Sequence, residues 1–255
     1  MKEILCIDIG NTNIVIGLSS EEKNDFQFKH FRITTNHNIT VDEVSITIWN
    51  ILNLFGEKAE NITKVLISSV VPEIDVQFRL GIGRILGIVP KFITTKDIPM
   101  EIDYQNKNEI GSDRIVVSFA SRELYSLDSV IVDTGTATTV DFVGDGKYLG
   151  GAILPGINTS LYAMFQKASK IPKISLETPN NVIGKTTEEC IRSGIIIGFA
   201  KAIEGIIVEG LKEIGKENPK IIFTGGLSDK IFPFVNLPNK IIDKDLLLKG
   251  LKLLS

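Results

Sequence analysis

The carboxylate of Asp8 stands inside an apolar run, Ile4 to Ile9. The run is followed by Gly10-Asn11-Thr12 and by a second apolar run, Ile14 to Leu18. Two apolar runs around a short Gly/Asn turn read as a β-hairpin. A carboxylate at the end of a buried strand is costly unless a cation or a hydrogen-bond donor meets it. A turn of small and hydroxyl-bearing residues can present backbone N–H groups to an anion. Leu5 to Gly17 (LCIDIGNTNIVIG) therefore has the outline of a Mg–phosphate site, and equally that of an ordinary tight hairpin with a solvated Asp. A second copy favours the first reading. Ser129 to Val143 (SVIVDTGTATTVDFV) repeats the strand, the acid (Asp133), the Gly (Gly135), the threonines and the second strand. Two such hairpins, one in each half, describe a duplicated phosphate-binding domain with a cleft between the halves.

A third group lies between them. Glu109 to Arg114 reads EIGSDR. Gly111 permits a tight approach, Ser112 and Asp113 can cap a helix, and Arg114 is a fixed cation able to hold a carboxylate bidentately. Asp113 as a simple helix cap, with Arg114 on the surface, accounts for the same residues. As chemistry, an Asp beside an anion-binding Arg suits a kinase for a hydroxy-acid: Arg114 holds a polar end of the substrate and Asp113 takes the proton of the attacking hydroxyl.

The elements that must position these groups follow from the apolar periodicity. Phe26 to Ile33 alternates as a third strand. Thr40 and Glu43 form a capping-box pattern before a helix over Val41 to Phe55, which Gly56 ends and in which Trp49 is expected in the core. Val65 to Val71 is a strand stopped by Pro72, Ile74 to Leu86 a helix and Val89 to Ile93 a strand. Ile98 to Asn108 reads as a loop and Gly111 to Ser126 as a helix. After the second hairpin, Tyr148 to Leu154 is a strand and Asn158 to Lys167 a helix, and Ile171 to Asn181, with Pro172 and Pro179, is irregular. Thr186 to Gly215 is a long helical region bearing Gly194, Gly198, Gly205 and Gly210. Glycine costs about 1 kcal/mol against alanine in a helix interior, so the series signals either close packing, as at a subunit interface, or a broken helix. Lys220 to Thr224 is a strand and Asp243 to Leu254 a final amphipathic helix. The second half thus repeats the order of the first, with domains expected over 1–114 and 115–255.

The chain has 255 residues, 43% of them apolar and 23% charged, with a formal net charge of −3. This is enough for two domains with real cores, and no basic stripe points to nucleic acid. No apolar run reaches transmembrane length. The opening MKEILCIDIG runs directly into a strand rather than a secretory leader, so no membrane is expected and the cytoplasm is the expected compartment. Cys6 and Cys190 are expected as two buried thiols, with no Cys/His spacing for zinc. No GxxxxGK[ST] is present, which argues against the P-loop class.

Two β-β-β-α-β-α halves, each with an acidic Gly/Thr hairpin, resemble the acetate and sugar kinase, chaperone and actin superfamily: α/β, with two ribonuclease-H-like domains and an ATP cleft between them. The motifs in order then resemble the type III pantothenate kinases. They are DIGNTNIVIG (Asp8–Gly17), SSVVP (Ser68–Pro72), Tyr104 with EIGSDR, DTGTATTVDFV (Asp133–Val143), GGAILPG (Gly150–Gly156), IGKTT…SG (Ile183–Gly194) and TGG (Thr224–Gly226). The resemblance implies ATP-dependent phosphorylation of pantothenate to 4'-phosphopantothenate, the first step of coenzyme A biosynthesis. It implies ATP and phosphate binding by Asp8, Ile9, Gly10, Asn11, Thr12, Asn13, Ile14, Val15 and Thr136, with Asp8 near Mg²⁺. It implies pantothenate binding by Tyr104, Gly111, Ser112, Asp113, Arg114 and Thr187, with the neighbouring Thr186 leaving that register open by one residue. Asp113 is the implied general base and Asp133 the ligand of a monovalent cation, K⁺ or NH₄⁺. The family is homodimeric, with its pocket completed across the interface. Lys107 stands where members usually carry Pro, and the KASKIP stretch (Lys167–Pro172) departs from the usual pattern. A non-catalytic regulatory relative and a kinase for another small hydroxyl substrate are the competing readings. The presence of Asp113, Arg114, Asp133 and Thr136 favours the enzyme over the first, and Tyr104 with GSDR favours pantothenate over the second.

Overall fold

The computed structural model describes residues 2–22, 25–167 and 174–255. The departures expected along KASKIP, apart from Lys167, lie outside the described residues. The elements run β1 (Glu3–Ile9), β2 (Asn13–Ser20), β3 (Lys29–Thr34), α1 (Val41–Phe55), β4 (Ile62–Ser69), α2 (Asp75–Leu86), β5 (Lys91–Phe92) and α3 (Ser112–Leu124). They continue with β6 (Ser129–Thr134), β7 (Ala137–Gly144), β8 (Lys147–Pro155), α4 (Ile157–Lys167), α5 (Thr187–Ile214), β9 (Lys220–Thr224), α6 (Ser228–Ile231), β10 (Lys240–Ile242) and α7 (Leu246–Leu253).

The chain divides into two compact units, one comprising 1–99, 106–120 and 246–255, the other 100–105 and 121–245. The sequence suggested one cut after Arg114. In the structure the change falls within α3, and the C-terminal helix returns to the first unit.

The first unit is built on a sheet of order β3-β2-β1-β4-β5, with β1–β2 and β2–β3 antiparallel and β1–β4 and β4–β5 parallel. Strand β1 is apolar on both faces because both faces are covered. Leu5, Ile7 and Ile9 join a core with Val44, Ile48, Ile51, Phe78 and Ile82 of α1 and α2. The opposite face, with Ile4 and Cys6, is covered by α7, which packs on β1 and β4. Gly17, cross-strand partner of Cys6, makes room for that helix: a Cβ there would lie 2.7 Å from Leu248 Cδ1. Helix α1 begins and ends as its sequence predicts. The Glu43 N–H donates to Thr40 Oγ1 at 3.2 Å, the Thr40 N–H donates to Glu43 Oε2 at 2.7 Å, and Gly56 closes the helix at φ 70°. Trp49, expected in the core, is 57% exposed. It follows buried Ile48 by one residue, a rotation of about 100° that carries it off the apolar stripe.

The second unit repeats the plan. Its sheet, read β8-β7-β6-β9-β10, has the same sequence of antiparallel and parallel pairings. Val130, Val132, Val140 and Phe142 face Ile195, Ile196, Ile203 and Ile207 of α5. Helix α5 is one unbroken element of 28 residues. Of its glycines only Gly210 makes a close approach, where a Cβ would lie 2.3 Å from Phe142 Cζ. Gly194, Gly198 and Gly205 are exposed, with nothing within 4 Å of a built Cβ. Cys6 is buried as expected, and its thiol is pushed up to about 12 by burial. Cys190 is exposed, a correction to the expectation of two buried thiols: it lies in the first turn of α5, before that helix reaches the core.

Candidate active site

In the first unit the β1–β2 turn is held from below by Thr35. Its N–H donates to the Thr12 carbonyl at 3.0 Å and its hydroxyl donates to the Gly10 carbonyl at 2.5 Å. Gly10 N–H closes the turn on the Asn13 carbonyl at 3.1 Å. Asp8 pairs across to Val15 on β2 and alongside Ser68 on β4. The flanking Ile9 and Ile14 are fully buried, so they anchor the turn.

Ser68 connects this hairpin to EIGSDR. Its Oγ lies 2.9 Å from Ser112 Oγ, and the Ser112 hydroxyl is also within 2.9 Å of the Ser69 carbonyl. The start of α3 is thereby tied to the end of β4, the strand beside Asp8. Sequence reasoning assigned Ser68 no role. Two adjacent hydroxyls after the apolar run Val65–Ile67, Ser68-Ser69, were the available signal.

Asp113 lies in the first turn of α3, where a carboxylate also gains from the helix dipole. Its Oδ1 accepts from the Arg114 N–H at 2.8 Å. Burial pushes its carboxyl above the ordinary carboxylate range, opposed in part by that hydrogen bond and by the Arg114 cation. Gly111 makes this placement possible, because a Cβ there would sit 2.4 Å from Asp113 Oδ1. Arg114 is 8% exposed, and its carbonyl accepts from the Ser118 hydroxyl at 2.8 Å. A partly buried carboxyl with a raised pKa beside a guanidinium is equipped to take a proton from a hydroxyl near an anionic group.

The second unit holds the remaining residues on β6, in the β6–β7 turn, in the segment before α3 and at the start of α5. Asp133 is the penultimate residue of β6 and packs against the Gly225 turn after β9, where a Cβ would lie 2.3 Å from Asp133 Oδ1. Thr139 stands directly across from Asp133 on β7, and its buried hydroxyl has no hydrogen-bond partner. An orphaned hydroxyl beside a carboxylate fits an oxygen-ligated monovalent cation, which asks for no thiolate or imidazole. Among the described residues no group of three or more His, Cys, Asp or Glu could hold a metal ion. Thr136 is exposed in the hairpin turn, and its carbonyl accepts from the Thr159 hydroxyl at 2.9 Å. Tyr104 lies against β8. At the start of α5, Thr186 is the cap, its Oγ1 accepting from Glu189 N–H at 3.2 Å, and Thr187 is the exposed first helical residue.

The fold is that of two units built on sheets of matching order, each opening on a hairpin that carries an aspartate. Solved structures of this fold include a Baf family transcriptional activator from Campylobacter jejuni (TM-score 0.59, 22% identity, 98% of this chain and 96% of that one). Another is a polyphosphate/ATP-glucomannokinase from Arthrobacter (TM-score 0.52, 14% identity, 100% and 97%). The chain belongs to the type III pantothenate kinase family, whose model matches residues 4–209. It is 37% identical to the type III pantothenate kinase of Citrifermentans bemidjiense, with 98% of each chain covered. To that of Persephonella marina it is 39% identical, over 97% of this chain and 96% of the relative.

Proposed function

We infer that this protein phosphorylates pantothenate to 4'-phosphopantothenate with ATP, the first step of coenzyme A biosynthesis. Membership of the family supports the reaction. The observation that carries the assignment of roles is the Asp113 carboxyl: partly buried, raised in pKa, seated over Gly111 and next to Arg114.

Asp113 accepts the proton of the primary hydroxyl as its oxygen attacks the γ-phosphorus. The bond from that phosphorus to the β,γ-bridging oxygen breaks, and ADP leaves. Arg114 holds the carboxylate or another polar end of pantothenate, with Gly111, Ser112 and Tyr104 lining the pocket. Thr187 is the further substrate contact, supported by the engagement of Thr186 as the helix cap. The turn from Asp8 to Val15 takes ATP phosphate on its amide side, supported by the Gly10 and Thr12 carbonyls being turned to Thr35. Thr136 contacts phosphate from the second hairpin. Mg²⁺ near Asp8 and K⁺ or NH₄⁺ at Asp133, when bound, offset phosphate charge, which is most of what phosphoryl transfer asks of a protein.

A homodimer is part of this reading, supported by the exposed stripe of Gly194, Gly198 and Gly205 on α5. The cytoplasm is the expected compartment; among the described residues no helix is long and apolar enough to cross a membrane. The test is ADP formation from ATP and pantothenate with Mg²⁺, in K⁺ and in Na⁺ buffers. Turnover in K⁺ and little in Na⁺ is expected. No turnover in either, with ATP still bound, overturns the reading in favour of a regulatory relative or another hydroxyl substrate.

A further inference from the structure

Tyr104 is placed by a platform that the motifs do not announce. The segment before it pairs with the start of β8. Tyr148 N–H donates to the Glu101 carbonyl at 2.9 Å, Asp103 N–H donates to the Tyr148 carbonyl at 2.8 Å, and Ile102 bridges Tyr148 in parallel register. The Tyr104 ring then lies 6.2 Å from the Tyr148 ring at a tilt of 45°, a favourable aromatic pairing. One edge of it lies over Gly150, where a Cβ would be 3.4 Å from both Cδ2 and Cε2.

The strand is irregular at this point. Val143 pairs with Tyr148 but Phe142 pairs with Gly150, so Leu149 is an extra residue in a bulge, and Gly150 has φ 97°. Bulges of this kind re-aim side chains beside functional sites. Beneath the exposed Tyr104, the Tyr148 hydroxyl donates to Asp141 Oδ1 at 2.8 Å, and both residues are 0% exposed. A buried carboxylate–phenol pair is an expensive way to fill a core that apolar side chains could fill. What it supplies is one fixed ring position.

We propose that Tyr148, anchored on Asp141, is a positioning residue that sets the Tyr104 ring and thereby the affinity for pantothenate. This rests on the reading of Tyr104 as a substrate contact. Tyr148 touches no reacting atom, so its effect passes through Tyr104 and falls on pantothenate rather than on ATP.

The experiment is a double-variant cycle with separate KM values for pantothenate and ATP, using Tyr148→Phe and Tyr148→Leu, each alone and combined with Tyr104→Ala. Tyr104→Ala and Tyr148→Leu should each raise the pantothenate KM about tenfold and Tyr148→Phe about threefold, with the ATP KM unchanged. In the Tyr104→Ala background either Tyr148 change should add less than about twofold, because coupled residues are non-additive. If Tyr104→Ala leaves the pantothenate KM unchanged, the substrate-contact reading fails and the proposal fails with it. If Tyr104→Ala raises it while the Tyr148 variants do not, or their effects multiply, the proposal is overturned and that reading stands. Should Tyr148→Leu fail to fold, Tyr148→Phe, which keeps the ring, decides the matter.

Discussion

Gly111→Ala tests the proposed base through a neighbour that carries no chemistry. The added Cβ would lie 2.4 Å from Asp113 Oδ1, 3.5 Å from Val70 Cγ1 and 3.6 Å from Asp113 Cγ. Ordinary contact begins near ~3.5 Å, so the carboxylate oxygen must retreat by about 1 Å while the other two contacts are already tolerable. That movement breaks the 2.8 Å hydrogen bond from Arg114 N–H and shifts the proton acceptor. A misplacement of about 1 Å costs roughly 10²-fold in rate, so kcat should fall by about that factor. ATP affinity, read by calorimetry, should not change, because the methyl adds nothing on the hairpin. The assay is coupled ADP release at saturating substrates. In an Asp113→Asn background the same change should cost little more, since the group it displaces is no longer a base. A folded Gly111→Ala protein with kcat within threefold of the parent would refute the reasoning, as would a full 10²-fold loss persisting in the Asp113→Asn background.

Asp113→Asn itself should keep ATP binding while lowering turnover by about 10²–10⁴-fold, the usual range for a general base; near-normal turnover removes Asp113 from the mechanism. Because burial raises the Asp113 pKa, the acid limb of kcat/KM should lie above the ordinary Asp value of ~3.9 and vanish in that variant. The stability sign is opposite to that of a paired surface carboxylate. A folded pKa above the unfolded one contributes stability at low pH and loses it as pH rises through the folded value. Asp113→Asn should therefore not lower the melting temperature at pH 7, and a clear loss there would contradict the burial argument. Asp133→Ala should abolish the K⁺ dependence of ATP use, and an unchanged K⁺ response sinks that assignment. Gly17→Ala forces a methyl to within 2.7 Å of Leu248 and should destabilise the protein by about 1–3 kcal/mol in urea unfolding, as overpacking does; an unchanged midpoint would show that α7 is not seated against β2 there.

What the sequence determined by itself were features settled within a few residues. The Thr40–Glu43 capping box, the glycine stop at Gly56, the two hairpins and the extent of β9 all follow from neighbours within a few positions. The candidate chemistry was legible for the same reason, since Asp8, Asp113 and Asp133 each sit in a short motif. Tertiary structure decided whatever depends on partners distant in the chain. Ser68 meets Ser112 across 44 residues. Helix α7 covers the face of β1 that carries Cys6, and Gly17 owes its identity to Leu248. Trp49 and Cys190 are exposed although both sit in helices that also carry buried residues, because burial depends on what packs against each side of a helix and not on residue type. Tyr104 stands out in the sequence by its motif but within a stretch that reads as a loop; that its ring lies over a bulge in β8 only the pairing register reveals. Local patterns fix which elements form; which side chains those elements bring together is set by packing, and packing is a property of the folded whole.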